Sequence, residues 1–296
     1  MLSILIPTYN YDCTRLVGDL QQQAELLGVC YEIIVADDAS PIYRYKERNR
    51  RINTMAHCRF IEMESNLGRA RIRNRLADEA NYEWLLFMDA DAEVISQTFI
   101  ADYLKHLDAE VICGGLCHAD TLPSPEVSLR YVYEKRADRR RAARFRECAP
   151  YEHFTPFNFV IRRALFQCIR FDEHITGYGH EDTLFGVELS KRNVNICHID
   201  NPLRHIGLES NDKFLEKTRS ALRNLAAMES AMQGYSSLLR VYNLLRCVGI
   251  HQGLAWWFSR REQSLTKRLM RANPSVGLFF IYKLGYYCHL KQYHKS

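Results

Sequence analysis

Trp84-Leu85-Leu86-Phe87-Met88-Asp89-Ala90-Asp91-Ala92-Glu93 opens as an apolar run and closes on acids. The run is too short for a typical helix and is bounded by charge, so it reads as a strand buried on both faces. In an open α/β sheet, ligands meet the carboxyl ends of the strands, so a carboxylate pair placed there faces a crevice. On an extended chain, alternation sends Asp89 and Asp91 to the same side, with Ala90 taking little room between them. Hard oxygen ligands on one side, with space for water and substrate oxygens, describe a Mg2+ or Mn2+ site shared with a diphosphate. A short D-x-D is equally a plain polar exit from a strand, so the rest of the chain has to separate the two readings.

Working outward, the pattern recurs. Residues 2–6 form a short buried strand ending at Pro7-Thr8-Tyr9-Asn10, a turn cluster placed where a ligand would be met. A helix follows from about Thr14, with Leu16, Val17, Leu20, Ala24 and Leu27 on one face. Residues 31–36 give a second strand, again ending in acids, Asp37-Asp38-Ala39-Ser40-Pro41. A polar, basic helix over 42–55, a third strand over 58–62 and the turn Asn66-Leu67-Gly68 lead into a helix carrying Arg69, Arg71, Arg73 and Asn74. After the Asp89/Asp91 strand come a helix near 97–107 and a strand at 110–114. This alternation predicts an α/β fold, a mostly parallel sheet with helices on both faces, and right-handed crossovers put the polar strand ends along one edge.

From Ser128 the pattern changes to a helix dense in Arg130, Lys135, Arg136, Arg139, Arg140, Arg141, Arg144 and Arg146. It reads either as a solvated face or as a flank that attracts phosphates. Strands at 157–161 and 195–199 bracket Gly177-Tyr178-Gly179-His180-Glu181-Asp182, which opens a helix, and the second strand leads to Pro202-Leu203-Arg204-His205. Beyond residue 207 no strand pattern remains. Helical segments near 211–233, 236–249, 253–272 and 275–292 predict a C-terminal helical appendage, dividing the chain into 1–207 and 208–296. Its mixture of aromatic and basic residues suits packing on a core, the favoured reading, or contact with a membrane interface.

At 296 residues and 47% hydrophobic content the chain can bury a full core, which excludes a disordered protein. The net charge of +5 suits anionic substrates, nucleotides or a membrane surface without choosing among them. Ten scattered cysteines form no C-x-x-C pair, and Cys30, Cys113, Cys168 and Cys197 sit in apolar runs, so they are expected to be small buried hydrophobes in a reducing compartment. The N-terminus reads as a first strand and not a signal peptide, and no run reaches the about 18 apolar residues of a spanning helix. A cytoplasmic location is expected, with peripheral attachment to the inner face of a membrane left open.

The motifs Pro7-Thr8-Tyr9-Asn10, Asp37-Asp38-Ala39-Ser40, Asn66-Leu67-Gly68 with Arg73-Asn74, Asp89-Ala90-Asp91 and Gly177-Tyr178-Gly179-His180-Glu181-Asp182 stand in one order over residues 1–207. This series resembles the family 2 glycosyltransferases of the GT-A fold. The G-aromatic-G-x-E-D stretch followed by His205 is similar to the galactosyltransferase type. The appendage is not covered by the resemblance.

The resemblance implies a nucleotide-sugar donor, UDP-sugar favoured. A carboxylate at a strand end can accept the imide N–H of uracil, the role implied for Asp38; an N-cap for the next helix fits Asp38 and Asp37 as well. Backbone groups of Pro7, Thr8 and Tyr9, with Asn10 in the same nucleotide-binding turn, would flank the base. Asn66, Gly68 and Arg73 would lie near base and ribose, although Arg73 also reads as a helix-face charge. Asp89 would face the ribose or the metal, and Asp91 and the late histidine His205 would bind Mn2+ or Mg2+, which neutralises the departing diphosphate. His205 taken alone reads as an ordinary surface or core residue.

Glu181-Asp182 opens a helix, so the two acids also stabilise its positive end. That dipole is expected to lower the carboxylate pKa and keep Asp182 ionised as a base. The resemblance gives the base to Asp182, the acceptor sugar to Glu181, and stacking to Tyr178 with Gly179 allowing close approach, with inversion at the anomeric carbon. The sequence departs from the family at Arg69 and Arg71, where many relatives carry small residues, and at Pro202, where the galactosyltransferase type has a methionine. The expected function is metal-dependent transfer of a hexose to a glycan or lipid-linked glycan in surface polysaccharide synthesis, with no nucleic-acid partner. The alternative is a non-catalytic nucleotide- or sugar-binding module. A nucleotidyltransferase would need a Gly-rich loop with a Lys after the first strand, which Pro7-Thr8-Tyr9-Asn10 does not supply.

Overall fold

The computed structural model describes residues 1–175 and 178–293; Gly177, the first glycine of the G-aromatic-G motif, lies outside the described residues. In chain order the elements are β1 (Leu2–Thr8), α1 (Thr14–Leu27), β2 (Tyr31–Asp37), α2 (Tyr43–Asn49), β3 (Cys58–Glu62), α3 (Arg69–Glu79), β4 (Trp84–Met88), β5 (Ala92–Glu93), α4 (Phe99–Leu104), β6 (Val111–Cys113) and β7 (Leu116–Cys117). Then follow α5 (Ser128–Ala137), α6 (Ala143–Arg146), β8 (Asn158–Arg162), α7 (Arg163–Ile169), α8 (Glu181–Lys191), β9 (Ile196–His198) and β10 (Leu203–His205). The C-terminal helices are α9 (Asn211–Ala227), α10 (Ser237–Cys247), α11 (Ile250–Leu269) and α12 (Val276–Tyr293).

Seven strands form one sheet in the order β3-β2-β1-β4-β8-β6-β9. All neighbours pair parallel except β8, which runs antiparallel to both β4 and β6. The continuous apolar runs exist because both faces are covered. Leu2, Ile4 and Ile6 with Trp84, Leu86 and Met88 face one core, closed by Leu16, Val17 and Leu20 of α1 and Phe99 and Tyr103 of α4. Leu5, Leu85 and Phe87 face the other, closed by Ile72 and Leu76 of α3, Phe166 of α7 and Phe185 of α8. Strict alternation within β1 and β4 therefore feeds two helix layers at once.

The chain divides into two compact units, the first comprising Met1–His118, Arg140–Ile175 and Phe185–Gly207, the second Ala119–Arg139, Thr176–Leu184 and Leu208–Ser296. In the second, α9, α10, α11 and α12 share cores around Leu222, Leu239, Tyr242 and Tyr287, and around Phe214, Phe258, Phe279 and Tyr282. Packing is thus the fate of Phe258, Phe279, Tyr282 and Tyr287, whereas Trp256 and Trp257 stay exposed.

Three sequence expectations need correction. The chain is not extended through the acidic pair: β4 stops at Met88, and Ala90 and Asp91 form a turn before β5, so alternation does not set where the two acids point. The arginine-rich stretch is not one helix; α5 ends at Ala137, a 3-10 turn covers Asp138–Arg140, and only the short α6 follows. The cysteines form no framework of disulfides among the described residues, and Cys30, Cys148, Cys168 and Cys247 are exposed instead of buried; Cys30 sits just outside β2 and Cys168 on the outward side of α7.

Arg146 fits neither reading of that stretch. Its side chain is buried and donates to the carbonyls of Cys113, Ile199 and Arg141, at 2.9, 2.6 and 2.7 Å. A further donation goes to Nδ1 of His198 at 2.7 Å. An arginine can only donate, so His198 Nδ1 accepts and Nε2–H is left for the Pro150 carbonyl at 3.1 Å. Burial, and then the Arg146 charge, hold the His198 imidazole down at about 4, in keeping with a neutral ring. Arg146→Met keeps the stem but leaves these acceptors without their donor, at a cost of about 3 kcal/mol. Thermal unfolding should show a melting temperature lower by about 5 °C or more, and an unchanged value would show that the β6–β9 edge does not depend on this side chain.

Candidate active site

The first site residues gather where β1, β2 and α3 meet. The Asp38 carboxylate accepts the backbone N–H groups of Leu67 at 2.6 Å and Gly68 at 3.0 Å, and Asn66 Nδ2 donates to the Asp38 carbonyl at 3.0 Å. Asp38 therefore caps the turn into α3, not the next helix in sequence, which begins after Ile42. Burial raises its pKa against the lowering effect of the two N–H groups. Asp37 is fully buried and accepts from the Ser40 N–H at 2.8 Å and from the Ser40 hydroxyl, with Lys46 at 3.7 Å.

The β1 exit is tied to the same place. Asp38 N–H donates to the Thr8 carbonyl at 2.9 Å, Asn10 N–H to Ser40 Oγ at 2.7 Å, and Ile42 N–H to Asn10 Oδ1 at 3.2 Å. Asn10 adopts a positive φ of 53°, a conformation asparagine tolerates better than most residues. Thr8 is buried, Pro7 half-buried and Tyr9 exposed. Arg73 is not a helix-face charge. It is 2 % exposed, donates to Asp89 at 2.6 Å, and lies over the Phe171 ring at 5.5 Å.

Asp91 is held by a different neighbour. In the three-stranded sheet β5-β10-β7, β10 runs antiparallel to β5, with His205 opposite Ala92, and Ile206 N–H donates to the Asp91 carbonyl at 3.0 Å. This pairing sets His205 Nε2 and Asp91 Oδ2 3.1 Å apart. Gly207 completes the arrangement: a Cβ there would lie 2.2 Å from Asp91 Oδ2, so no larger residue fits while the carboxylate keeps its place. Tyr11 is near the same charge; burial first, then Asp91, push its phenol up to about 12.

Sequence reasoning missed His118. Strands β10 and β7 run parallel with Leu203 opposite Leu116 and Arg204 opposite Cys117, so the next step of the register sets His205 beside His118. Their rings are 5.8 Å apart, and one nitrogen of each lies within 4.8 Å of the other. The Asp91 carboxylate and the His205 imidazole in contact with it form a donor set suited to a divalent cation, with the His118 imidazole alongside His205, and imidazole nitrogen favours Mn2+ over Mg2+. Asp89, committed to Arg73, stands apart from the Asp91–His205 pair in its contacts.

In the second unit, Tyr178, His180 and Asp182 enter a cavity of about 370 Å³, and Gly179 lies outside its lining. Tyr178, His180, Asp182 and Thr183 line it together with Tyr133, Phe214, Thr218, Phe279 and Lys283. Gly179 has a φ of 97°, and a Cβ on it would come 2.7 Å from that of Ala221, so α9 can approach only a glycine. Lys217 Nζ lies 4.9 Å from the Tyr178 ring centre, and Lys283 Nζ donates to Tyr133 Oη at 3.0 Å. Aromatic walls with a few polar groups suit the apolar face and the hydroxyls of a sugar. Glu181 is buried and lies outside that lining.

Asp182 sits in the first turn of α8, where Thr183 N–H and Oγ1–H donate to Oδ1 at 2.7 and 3.2 Å. The expected lowering of its pKa by the helix end is overturned. Burial, and next the Glu181 charge, raise it despite these bonds and His180. Burial in turn lowers His180. The wall residues Phe214, Phe279 and Lys283 come from α9 and α12, so no local motif announces them.

Residues 3–170 match the family model of glycosyl transferase family 2, and with more than half its length matched the chain belongs to that family. Among solved structures it is similar to S. aureus TarS 1–349, at 18% identity and TM-score 0.51, covering 100% of this chain and 92% of that one. It is also similar to the mannosyltransferase PcManGT from Pyrobaculum calidifontis in complex with GDP-Man and Mn2+, at 13% identity and TM-score 0.56, covering 100% of this chain and 88% of that one. The TarS 1–349 complex with UDP-GlcNAc gives 18% identity, TM-score 0.50, and 99% and 91% coverage. No curated protein sequence matches. The likeness is one of fold: this is an α/β GT-A glycosyltransferase with a C-terminal helical appendage.

Proposed function

We propose that this glycosyltransferase is a metal-dependent, inverting hexosyltransferase of the galactosyltransferase type, using a UDP-sugar and a glycan or lipid-linked glycan acceptor in surface polysaccharide synthesis. The observation that carries it is the Asp91–His205 pair at 3.1 Å, with Gly207 leaving the carboxylate its room. The structures similar in fold bind UDP-GlcNAc, or GDP-Man with Mn2+, which supports a nucleotide-sugar donor here.

In this reading residues 1–207 carry the donor chemistry. Asp38 accepts the uracil N–H on lone pairs not used for Leu67 and Gly68, while Pro7, Thr8, Tyr9 and Asn10 flank the base. Asn66, Gly68 and Arg73 border base and ribose, and Asp89, braced by Arg73, receives the ribose hydroxyls. Asp91 and His205, with His118 alongside, would hold Mn2+ or Mg2+, and the chemistry such an ion would supply there is positive charge opposite the departing diphosphate, which would spare the leaving group a proton. Asp182 takes the acceptor hydroxyl proton as that oxygen bonds to the anomeric carbon. The carbon–oxygen bond to the diphosphate breaks, its electron pair leaving with the nucleotide. Tyr178 and Gly179 seat the acceptor sugar and Glu181 supports that seat. The place of reaction is the cytoplasmic face of a membrane.

Thermal shift with UDP, GDP and CMP, with and without Mn2+, tests the donor half. Metal-dependent stabilisation by UDP, larger than by CMP, is expected, because a ligand bound only by the folded state raises its melting temperature. No shift with any of the three at millimolar concentration would remove the donor site.

A further inference from the structure

We propose that the outer face of α11, together with the tip where α10 turns into it, docks on an anionic lipid surface. Phe258, Leu265 and Leu269 turn α11 inward, and the opposite face, with Trp256, Trp257, Arg260, Arg261, Lys267 and Arg268, is exposed among the described residues. At its N-terminal end and on the α10 tip, Leu244, Val248, Ile250, Trp256 and Trp257 stand 37–65 % exposed. The other half of that face carries the exposed cations Arg260, Arg261, Lys267 and Arg268, with Arg260 3.9 Å above the Trp256 ring.

Charge complementarity selects the partner. Residues 230–296 contain ten Lys and Arg and a single acid, Glu262, which turns inward to Arg219 at 2.9 Å. A second copy would bring like charge against like charge, because a two-fold interface pairs a patch with itself. A nucleic acid would match the cations but leave the aliphatic tip without a use. Lipid headgroups answer the cations, the interfacial layer suits tryptophan, and acyl chains accept Leu244, Val248 and Ile250. Contact stays at the surface, since among the described residues no helix is long and apolar enough to cross a membrane.

The test uses the full chain with vesicles of phosphatidylcholine alone or mixed with phosphatidylglycerol. Tryptophan emission reports the contact directly: of the three tryptophans Trp84 is buried in the sheet, so a shift on adding vesicles belongs to Trp256 and Trp257. The expected result is co-sedimentation with mixed vesicles only, a blue shift, and release at about 0.5 M salt. Arg260→Gln with Arg261→Gln should weaken partitioning roughly 20- to 30-fold, since each cation near such a surface contributes a factor of about five. Trp256→Ala with Trp257→Ala should weaken it too, both pairs keeping the wild-type melting temperature because the side chains are exposed. Equal binding to phosphatidylcholine alone, no binding of the folded wild type, tighter binding to RNA than to vesicles, or a concentration-dependent dimer broken by the same substitutions would each overturn the proposal.

Discussion

Asp182→Asn is expected to bind UDP within about twofold of wild type and to lose roughly 10³-fold in transfer, the scale of a positioned general base. The amide keeps an oxygen for the Thr183 N–H that Oδ1 now accepts at 2.7 Å, so the start of α8 is preserved. Stability should not fall with it. Asp182 has its pKa raised by burial and by Glu181, with His180 opposing, and an acid whose folded pKa is raised loses stabilisation as pH rises through that value. At neutral pH the uncharged variant is therefore at least as stable as wild type, and lost turnover reports chemistry. The same raised pKa fixes the pH profile: a base must be deprotonated, so kcat/KM should fall on the acid side with a midpoint above that of an ordinary carboxylate. Retained transfer in Asp182→Asn, or an acid limb at the usual carboxylate position, would take the base role away from Asp182.

The second large effect concerns the carboxylate beside His205. Asp91→Ala removes the charged member of the donor set and should lower transfer roughly 10³-fold, about 4 kcal/mol of charge stabilisation. Gly207→Ala approaches this from outside the donor set, because its methyl group would sit 2.2 Å from Asp91 Oδ2 and must displace it. Both variants should also lose the Mn2+-dependent part of UDP binding in calorimetry while keeping whatever UDP binds without metal. Metal-dependent binding of UDP at wild-type strength in Asp91→Ala would place the ion elsewhere.

The central strands β1, β2 and β4 were legible because each is an apolar run closed by a polar turn, and both cores use their alternation. Asp38 was legible as a strand-end acid, yet the turn it holds lies 29 and 30 residues onward, and no local rule connects them. Strands of two or three residues such as β5, β7 and β10 are too short to show a period, so the register that sets His118 beside His205 was invisible. The acid of α8 was placed correctly at a helix start, but its pKa went the other way, because burial comes from chain far from it in sequence. Arginine's good helix propensity concealed the break after Ala137, and nothing local shows that Arg146 turns inward.

Because His205 and His118 are neighbours in register, and Asp91 is fastened to the same short ribbon, these three side chains cannot drift independently. Deleting one residue from either β7 or β10 would turn every following side chain to the opposite face and dismantle the group in a single event. Natural variation in this ribbon should therefore be confined to swaps of residue type, with insertions accumulating in the segments that join it to the rest of the chain.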